Sequence, residues 1–143
     1  MERQIFINLP VANVVASSAF YAALGAERDE RFCDGSSAMM RFTDTITVML
    51  VDHARFSAFT AKPIPDPRAA NEVLLFLSCT DRSEVDRMTA TASWAGGRAD
   101  PRPSQDYGFM YGRSFEDPDG HIWEAVWMDV EAAMDARKQM QDA

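Results

Sequence analysis

Cysteine is scarce in this sequence, and its spacing is not that of a metal site or a disulfide framework. Cys33 and Cys79 are the two cysteines of a 143-residue chain, and no C-x-x-C motif is present. Structural zinc sites and disulfide-rich folds need closely spaced or more numerous cysteines. We therefore expect two reduced thiols that behave as small buried apolar side chains.

Positive charge is also scarce. The chain has 14 lysines and arginines against 22 aspartates and glutamates, so its formal net charge is −8. Nucleic acids and anionic membranes attract clustered Lys and Arg, and no such run occurs, which excludes both as partners. The apolar runs are too short to span a bilayer, and the first residues lack the pattern of a signal peptide. We therefore expect a cytoplasmic protein.

The motifs of several enzyme classes are missing as well. The sequence has neither the G-x-S-x-G motif of a serine nucleophile nor a glycine-rich phosphate loop. The acidic segment 117–120 is too short for an EF-hand loop, which needs a longer run of alternating donors and a terminal glutamate. Asp117 and Asp119 are therefore interpreted as turn residues, since aspartate bonds nearby backbone and tolerates turn geometry.

What the sequence does have is the composition of a globular protein and a repeated pattern of elements. Apolar residues make up 47% and charged residues 25% of the chain. In the first half, Asn13 is a predicted N-cap and Gly25 a predicted helix end. The predicted elements are a strand at 5–11, a helix at 14–24, and strands at 27–33, 38–43 and 45–51.

The second half repeats this order. Asp81 and Glu84 have the spacing of a capping box, and Gly96-Gly97 predicts the end of the helix that follows. The predicted elements are a strand at 72–79, a helix ending near Trp94, strands at 98–100, 108–116 and 121–128, and a polar helix at about 130–141.

The repeat predicts a β-α-β-β-β module that occurs twice in one structural domain. The divisions are a first module at 1–52, a proline-containing linker at 53–71, a second module at 72–128 and a C-terminal helix at 129–143. One module of this size buries too little apolar surface to be stable alone. The two modules must therefore pack together, within one chain or across a dimer.

Two segments resemble the motifs that open and close one known superfamily. Segment 8–25, NLPVANVVASSAFYAALG, is similar to the opening motif of the vicinal oxygen chelate superfamily, and segment 115–124, FEDPDGHIWE, is similar to its ending motif. The superfamily includes glyoxalase I, bleomycin resistance proteins and extradiol dioxygenases. The resemblance implies an α+β fold in which two tandem βαβββ modules form a curled mixed β-sheet cleft with helices outside. It also implies a homodimer.

The same resemblance identifies four positions at which metal-dependent members hold a divalent ion. In this sequence they are Phe6, Met49, Leu74 and Glu124. Only Glu124 can donate to a metal, whereas a catalytic site usually has at least three protein ligands. We therefore expect no cofactor. If Ni, Zn, Mn or Fe is bound after all, Glu124 and His53 are the expected ligands.

Glu124 has two interpretations. It is either a catalytic or ligand-orienting acid in the cleft, or the remnant of a metal site that is neutralised by an ion pair or a tyrosine hydroxyl. A two-residue or a four-residue loop at Asp119-Gly120 would place Arg113 on the same face as Glu124 and predict an ion pair. A three-residue loop would instead place Arg113 and Glu124 on opposite faces of the sheet. His121 is expected to face away from Glu124.

The other residues of the cleft are expected to bind a small organic ligand. Phe6, Met49 and Leu74 predict apolar walls, and Asn8 adds one polar group that either orients the ligand or satisfies nearby backbone. The last predicted feature is a wall for a flat ligand, formed by Phe109, Tyr111 and Arg113. The alternative is that these three are ordinary strand residues.

Two functions follow from these residues. The favoured hypothesis is a glyoxalase/bleomycin-resistance-like protein with a degenerate metal site, which binds a small organic ligand in an apolar cleft. The alternative is a metal-dependent lyase, isomerase or dioxygenase with atypical ligands. The sequence does not decide whether a reaction is catalysed, because one fold supports many site chemistries.

Overall fold

The computed structural model describes residues 1–142, which form two open β-sheets and four helices. The elements in chain order are β1 (Ile5–Val11), α1 (Val14–Ala23), β2 (Glu27–Arg28), β3 (Ser37–Arg41), β4 (Ile46–Asp52), α2 (His53–Ser57), β5 (Leu75–Ser78), α3 (Arg82–Trp94), β6 (Arg98–Ala99), β7 (Gln105–Asp106), β8 (Met110–Glu116), β9 (Ile122–Met128) and α4 (Val130–Asp142).

The two sheets have equivalent topologies, which confirms the predicted α+β fold of tandem modules. Sheet one has the strand order β1-β4-β3-β2, and sheet two has the order β5-β9-β8-β6, with β7 also paired to β8. In each sheet the first strand is parallel to the last strand of its module, and the other pairs are antiparallel. Strands β1 and β5 are therefore edges of their sheets.

The helix ends follow from the predicted caps. The Asn13 side chain accepts a hydrogen bond from the Ala16 amide at 3.0 Å, and Asp81 accepts one from the Glu84 amide at 2.7 Å. Glu84 reaches back to the Thr80 amide at 2.9 Å, one residue before the N-cap. Such contacts satisfy amide groups that have no partner inside the helix.

One predicted strand boundary was wrong for a local reason. The predicted strand at 27–33 stops at Arg28, because Asp29 accepts a bond from the Arg31 amide and begins a single 3-10 turn at Glu30–Phe32. The predicted linker begins with the short helix α2, which Asp52 caps by accepting from the Arg55 amide. The last residue of the predicted C-terminal helix, Ala143, lies outside the described residues.

Both modules contribute to one apolar core. Phe20 and Tyr21 of α1 are fully buried, and their rings lie 6.3 Å from Phe115 and 5.8 Å from Trp123, respectively. Gly97 allows this packing, because a Cβ atom there would lie 2.7 Å from the Phe20 ring and 2.1 Å from the Glu116 carbonyl oxygen. Helix α1 thus packs against its own sheet and against aromatic side chains of sheet two. Within residues 1–142, no helix is both long and apolar enough to cross a bilayer.

A buried hydrogen-bond network joins the last hairpin to α1. The Tyr21 hydroxyl donates to Asp117 at 2.7 Å and accepts from the Trp123 indole at 2.9 Å. Asp117 also accepts from the amides of Asp119 and His121. Burial raises the pKa of Tyr21 well above its ordinary value and also raises the pKa of Asp117.

The same hairpin turn contacts the end of β1. Asp119 accepts a hydrogen bond from the Ala12 amide at 2.8 Å, and the His121 ring nitrogen Nε2 lies 2.8 Å from the Pro10 carbonyl oxygen. His121 is thus a turn residue, and its ring serves the contact between modules. The acidic turn that closes the second module holds the first module in place.

We expect Tyr21→Phe to destabilise the protein, because it leaves a buried Asp117 oxygen and the Trp123 indole without a partner. The free energy of unfolding, measured by urea denaturation, should fall by about 1–3 kcal/mol. Tyr107→Phe is the matched control, since Tyr107 is exposed. An equal loss in both variants would contradict a structural role for the buried network.

Candidate functional site

The β8–β9 hairpin has a three-residue loop at 118–120. The Asp117 amide donates to the His121 carbonyl oxygen at 2.9 Å, and Gly120 adopts a φ of 100°, which favours glycine. Ser114 therefore lies opposite Glu124, and Arg113 lies opposite Ala125. The predicted registers were wrong, and so was the expectation that Arg113 pairs with Glu124.

Tyr111 and Arg113 instead face α3 on the other side of sheet two. The Tyr111 hydroxyl donates to Asp86 at 2.6 Å, and Arg113 donates to Asp86 at 2.9 Å and to Asp100 at 2.7 Å. The bond from Tyr111 and the Arg113 guanidinium lower the pKa of Asp86. The bond to Asp86 raises the pKa of Tyr111, and Asp100 does the same for Arg113. Both side chains are occupied by these contacts and point away from Glu124.

The cation that neutralises Glu124 is Arg102. The Arg102 guanidinium donates to Glu124 Oε1 at 2.5 Å. The Glu124 side chain is 3% exposed, whereas the Arg102 side chain is 41% exposed. A buried carboxylate needs a partner of this kind, because removal from water disfavours its charge. The ion pair therefore lies at the boundary between the sheet and solvent.

The loop between β6 and β7 directs Arg102 over the sheet. The Asp100 amide donates to the Ser114 carbonyl oxygen at 2.8 Å, and Asp100 has a positive φ of 54°, which is uncommon for a residue other than glycine. Arg113 pairs with the Asp100 carboxylate. Arg113 therefore does not contact Glu124 but helps to position the loop that carries Arg102. Sequence reasoning missed Arg102, although its place between two prolines in Pro101-Arg-Pro103 indicates a constrained side chain.

Glu124 has one oxygen without a partner. Oε2 is buried and makes no hydrogen bond within the described residues. Beside it, Gly112 has no side chain on this face, and a Cβ atom there would lie 3.0 Å from Glu124 Oε1 and 3.6 Å from Val126 Cγ2. On the other side, Phe76 is in register with Glu124 and is 56% exposed. A buried carboxylate and an exposed aromatic ring therefore lie together on the outer face of sheet two.

The predicted metal positions do not form a ligand set. Phe6 and Met49 lie on sheet one and Leu74 precedes β5, and none carries a donor suited to a divalent ion. In residues 1–142, no group of three or more His, Cys, Asp or Glu side chains is placed to hold a metal. His53 begins α2 and lines a pocket with Asp66 and Asp119, and Glu124 is not among the lining residues of this pocket. The donor chemistry does not fit a divalent ion.

Phe6, Asn8 and Met49 lie together on the outer face of sheet one. Asn8 is the register partner of Met49, and these side chains alternate with the core residues Leu9, Val48 and Leu50 along their strands. Glu124 alternates in the same way with Trp123 and Ala125, which belong to the same core. The expected cleft is therefore divided within one chain into two faces, each turned away from the shared core.

A cavity of about 440 Å³ lies between the β1 edge and the start of β5 and β9. Asn8 and His121 add polar groups to walls that are mostly apolar, and the proline-rich segment 62–67 covers it. Asn8 is the one predicted ligand residue that lines this cavity. Phe109 lies elsewhere, before β8, where its ring stacks on Tyr107 at 6.1 Å.

Comparison with known proteins places this geometry in context. A family model described as the Glyoxalase/Bleomycin resistance protein/Dioxygenase superfamily matches residues 3–125. Among curated proteins, none matches the sequence. A solved structure of hypothetical protein SA1046 from S. aureus is 27% identical, with a TM-score of 0.74 over 89% of this chain and 95% of that chain.

Two further structures are similar in fold alone. Lactoylglutathione lyase from Agrobacterium tumefaciens is 19% identical, with a TM-score of 0.64 over 89% of this chain and 94% of that chain. A bleomycin resistance determinant encoded on the transposon Tn5 is 18% identical, with a TM-score of 0.61 over 90% and 99% of the two chains. The same fold thus occurs in an enzyme and in a resistance protein, so the site has to decide the function.

We expect a double-mutant cycle to show coupling between Arg102 and Glu124. Arg102→Ala leaves the buried carboxylate without its cation, and Glu124→Gln removes the charge that needs it. Chemical denaturation of both single variants and the double variant should give a coupling free energy of about 1–2 kcal/mol, since solvent screens the exposed side of the pair.

Arg82→Ala supplies the control for this cycle. Arg82 is also 41% exposed, but it pairs with Asp106 instead. Its coupling to Glu124→Gln should be within about 0.5 kcal/mol. Equal coupling for Arg82 and Arg102 would show that the assigned ion pair does not stabilise the protein specifically.

Proposed function

Because the chain belongs to the glyoxalase/bleomycin resistance protein/dioxygenase superfamily, we propose that it is a member that binds a small organic ligand without a divalent metal ion. The observation that carries this proposal is the ion pair between Glu124 and Arg102. In this chain a guanidinium neutralises the only carboxylate that remains at the four expected ligand positions.

A metal ion at Glu124 would lie beside the positive charge of Arg102 and would gain little in return. Phe6, Met49 and Leu74 offer no hard or borderline donor, so the ion would keep one protein ligand. A single carboxylate holds a divalent ion weakly, whereas the guanidinium is already bound to Glu124 Oε1. Electrostatics and coordination chemistry therefore both favour Arg102 over a metal.

We propose that the ligand binds on the outer face of sheet two. Phe76 and Leu74, which are 56% and 54% exposed, supply apolar surface, and Glu124 supplies a polar group. An apolar surface with few polar groups is typical of small-molecule sites. Tyr111 and Arg113 would then support the ligand indirectly, because they hold Asp86 and Asp100 behind the sheet.

We also propose that a second copy of the chain completes the site. Phe6, Asn8 and Met49 share the outer face of sheet one, and within one chain that face does not meet the face of Glu124. Ile5, Phe6, Val73, Leu74 and Phe76 are each about half exposed along or beside the edge strands β1 and β5. Exposed apolar surface of this extent marks an interface, and a homodimer would bring the two outer faces together.

Metal titration tests the first part of the proposal. The purified protein should contain no stoichiometric Ni, Zn, Mn or Fe by elemental analysis, and its Tm should not rise when these ions are added, because binding would stabilise the native state. Glu124→Ala should behave in the same way. A stoichiometric ion together with a Tm increase that disappears in Glu124→Ala or His53→Ala would support the metal-dependent enzyme instead.

The oligomeric state tests the second part. Sedimentation velocity should show a dimer for the natural sequence and a monomer for Phe76→Asp, since a carboxylate in an apolar interface must be removed from water. Phe59→Asp is the matched control, because Phe59 is equally exposed but follows α2. A monomeric natural protein, or a dimer that survives Phe76→Asp, would contradict this arrangement.

A further inference from the structure

The cavity of about 440 Å³ at the junction of the two modules is separate from the outer face of sheet two. Its walls come from the β1 edge, the start of β5 and β9, and the proline-rich segment 62–67. Neither Glu124 nor Phe76 is among the residues that line it. Its volume is within the range of about 300–1,000 Å³ that is typical of small-molecule pockets. The space is therefore large enough for a ligand of its own.

The walls of this cavity are joined by contacts within the chain itself. The His121 ring nitrogen Nε2 lies 2.8 Å from the Pro10 carbonyl oxygen and connects the wall of the second module to the β1 wall. The proline-rich cover continues into Arg68, whose guanidinium donates to the Pro118 carbonyl oxygen. Gly120 makes room for this arginine, because a Cβ atom there would lie 2.7 Å from Arg68 Cγ. The cover is thus anchored to the last hairpin, and the cavity is formed before any ligand binds.

Most of the lining is apolar surface that the rest of the chain leaves only partly covered. The large side chains that share this property are Phe56, Ile64, Leu75 and Ile122. Removal of apolar surface from water is favourable. A molecule with an apolar body therefore gains free energy when it fills this space.

The charged groups at the cavity disfavour a charged ligand. Lys62 is the one Lys or Arg among the lining residues and Glu72 the one acid, and both are exposed. A charged ligand that is attracted by one of them is repelled by the other. Neither is buried, so neither replaces the hydration that a charged group loses between apolar walls. The net charge of −8 disfavours anions further.

We propose that this cavity is a second binding site, which takes an uncharged and largely apolar small molecule, and that segment 62–67 is its cover. All of the lining residues come from one chain. Binding here therefore requires neither a second copy of the chain nor the outer face of sheet two. Asn8 is the polar side chain of the β1 wall, and its amide can form a hydrogen bond with a polar group of the ligand.

Two fluorescent naphthalenes test the proposal, because they differ by one charged group. N-phenyl-1-naphthylamine is uncharged, and 8-anilinonaphthalene-1-sulfonate has the same rings with an added sulfonate. Titration of the natural protein, followed by probe emission, should show saturable binding of the uncharged probe. Its affinity should be at least about tenfold higher than that of the sulfonate, which would lose its hydration in the cavity.

Two neighbouring alanines locate the bound probe. Ala70 lines the cavity and Ala69 does not, and the amides of both donate to the Asp66 carbonyl oxygen in one exposed turn. Ala70→Phe should fill part of the cavity and weaken binding of the uncharged probe about tenfold, whereas Ala69→Phe should change it by less than about twofold. Ile64→Ser, which removes apolar surface from the cover, should weaken it about threefold or more. Urea denaturation should show that both alanine variants remain folded, because both positions are exposed.

Three results would each overturn the proposal. The first is a natural protein that shows no saturable binding of the uncharged probe. The second is equal or tighter binding of the sulfonate, which would identify an anion site. The third is an equal effect of Ala69→Phe and Ala70→Phe, including no effect of either, which would place the probe outside the cavity. Neither alanine variant alters the ligand site proposed at Glu124 and Phe76, so the two hypotheses can fail independently.

Discussion

The length of the β8–β9 loop decides which side chains meet at Glu124. A side chain changes faces with every residue along a strand, so one residue more or less in the turn exchanges the two faces of a whole strand relative to its partner. The loop at 118–120 pairs Ser114 with Glu124 and turns Arg113 toward α3. The Asp117 carboxylate bonds to two amides of this turn and also accepts from Tyr21. The site thus depends on a residue of the other module.

The exchange of faces explains why two arginines of sheet two have different roles. Arg113 reaches the acids Asp86 and Asp100 on the helix side, where it anchors the loop that follows β6. Arg102 extends from that loop to the opposite side and contacts Glu124. The charge of Glu124 is therefore balanced by a long arginine side chain that extends from a short constrained loop. This arrangement gives the carboxylate a permanent cation while leaving one of its oxygens unpaired.

Sequence reasoning predicted what local patterns determine. The caps at Asn13 and Asp81, the glycine helix ends and the tandem order of elements follow from side chains and their near neighbours, and these are confirmed. The hairpin register was not predictable, because Asp119-Gly120 is compatible with loops of two, three or four residues and the choice depends on the distant Tyr21. Arg102 was missed for the same reason, since no periodicity shows where a loop residue points.

The contacts of Tyr21 also have a consequence for the order of folding. Its hydroxyl bonds to residues 96 and 102 positions later in the chain, and the turn at Asp119 bonds back to Ala12. Contacts between such distant residues are slow to form, since a long loop must close first. The first module alone therefore cannot complete the burial of the aromatic face of α1 before the final hairpin forms. The two halves look like independent repeats, but each completes its core only with side chains of the other.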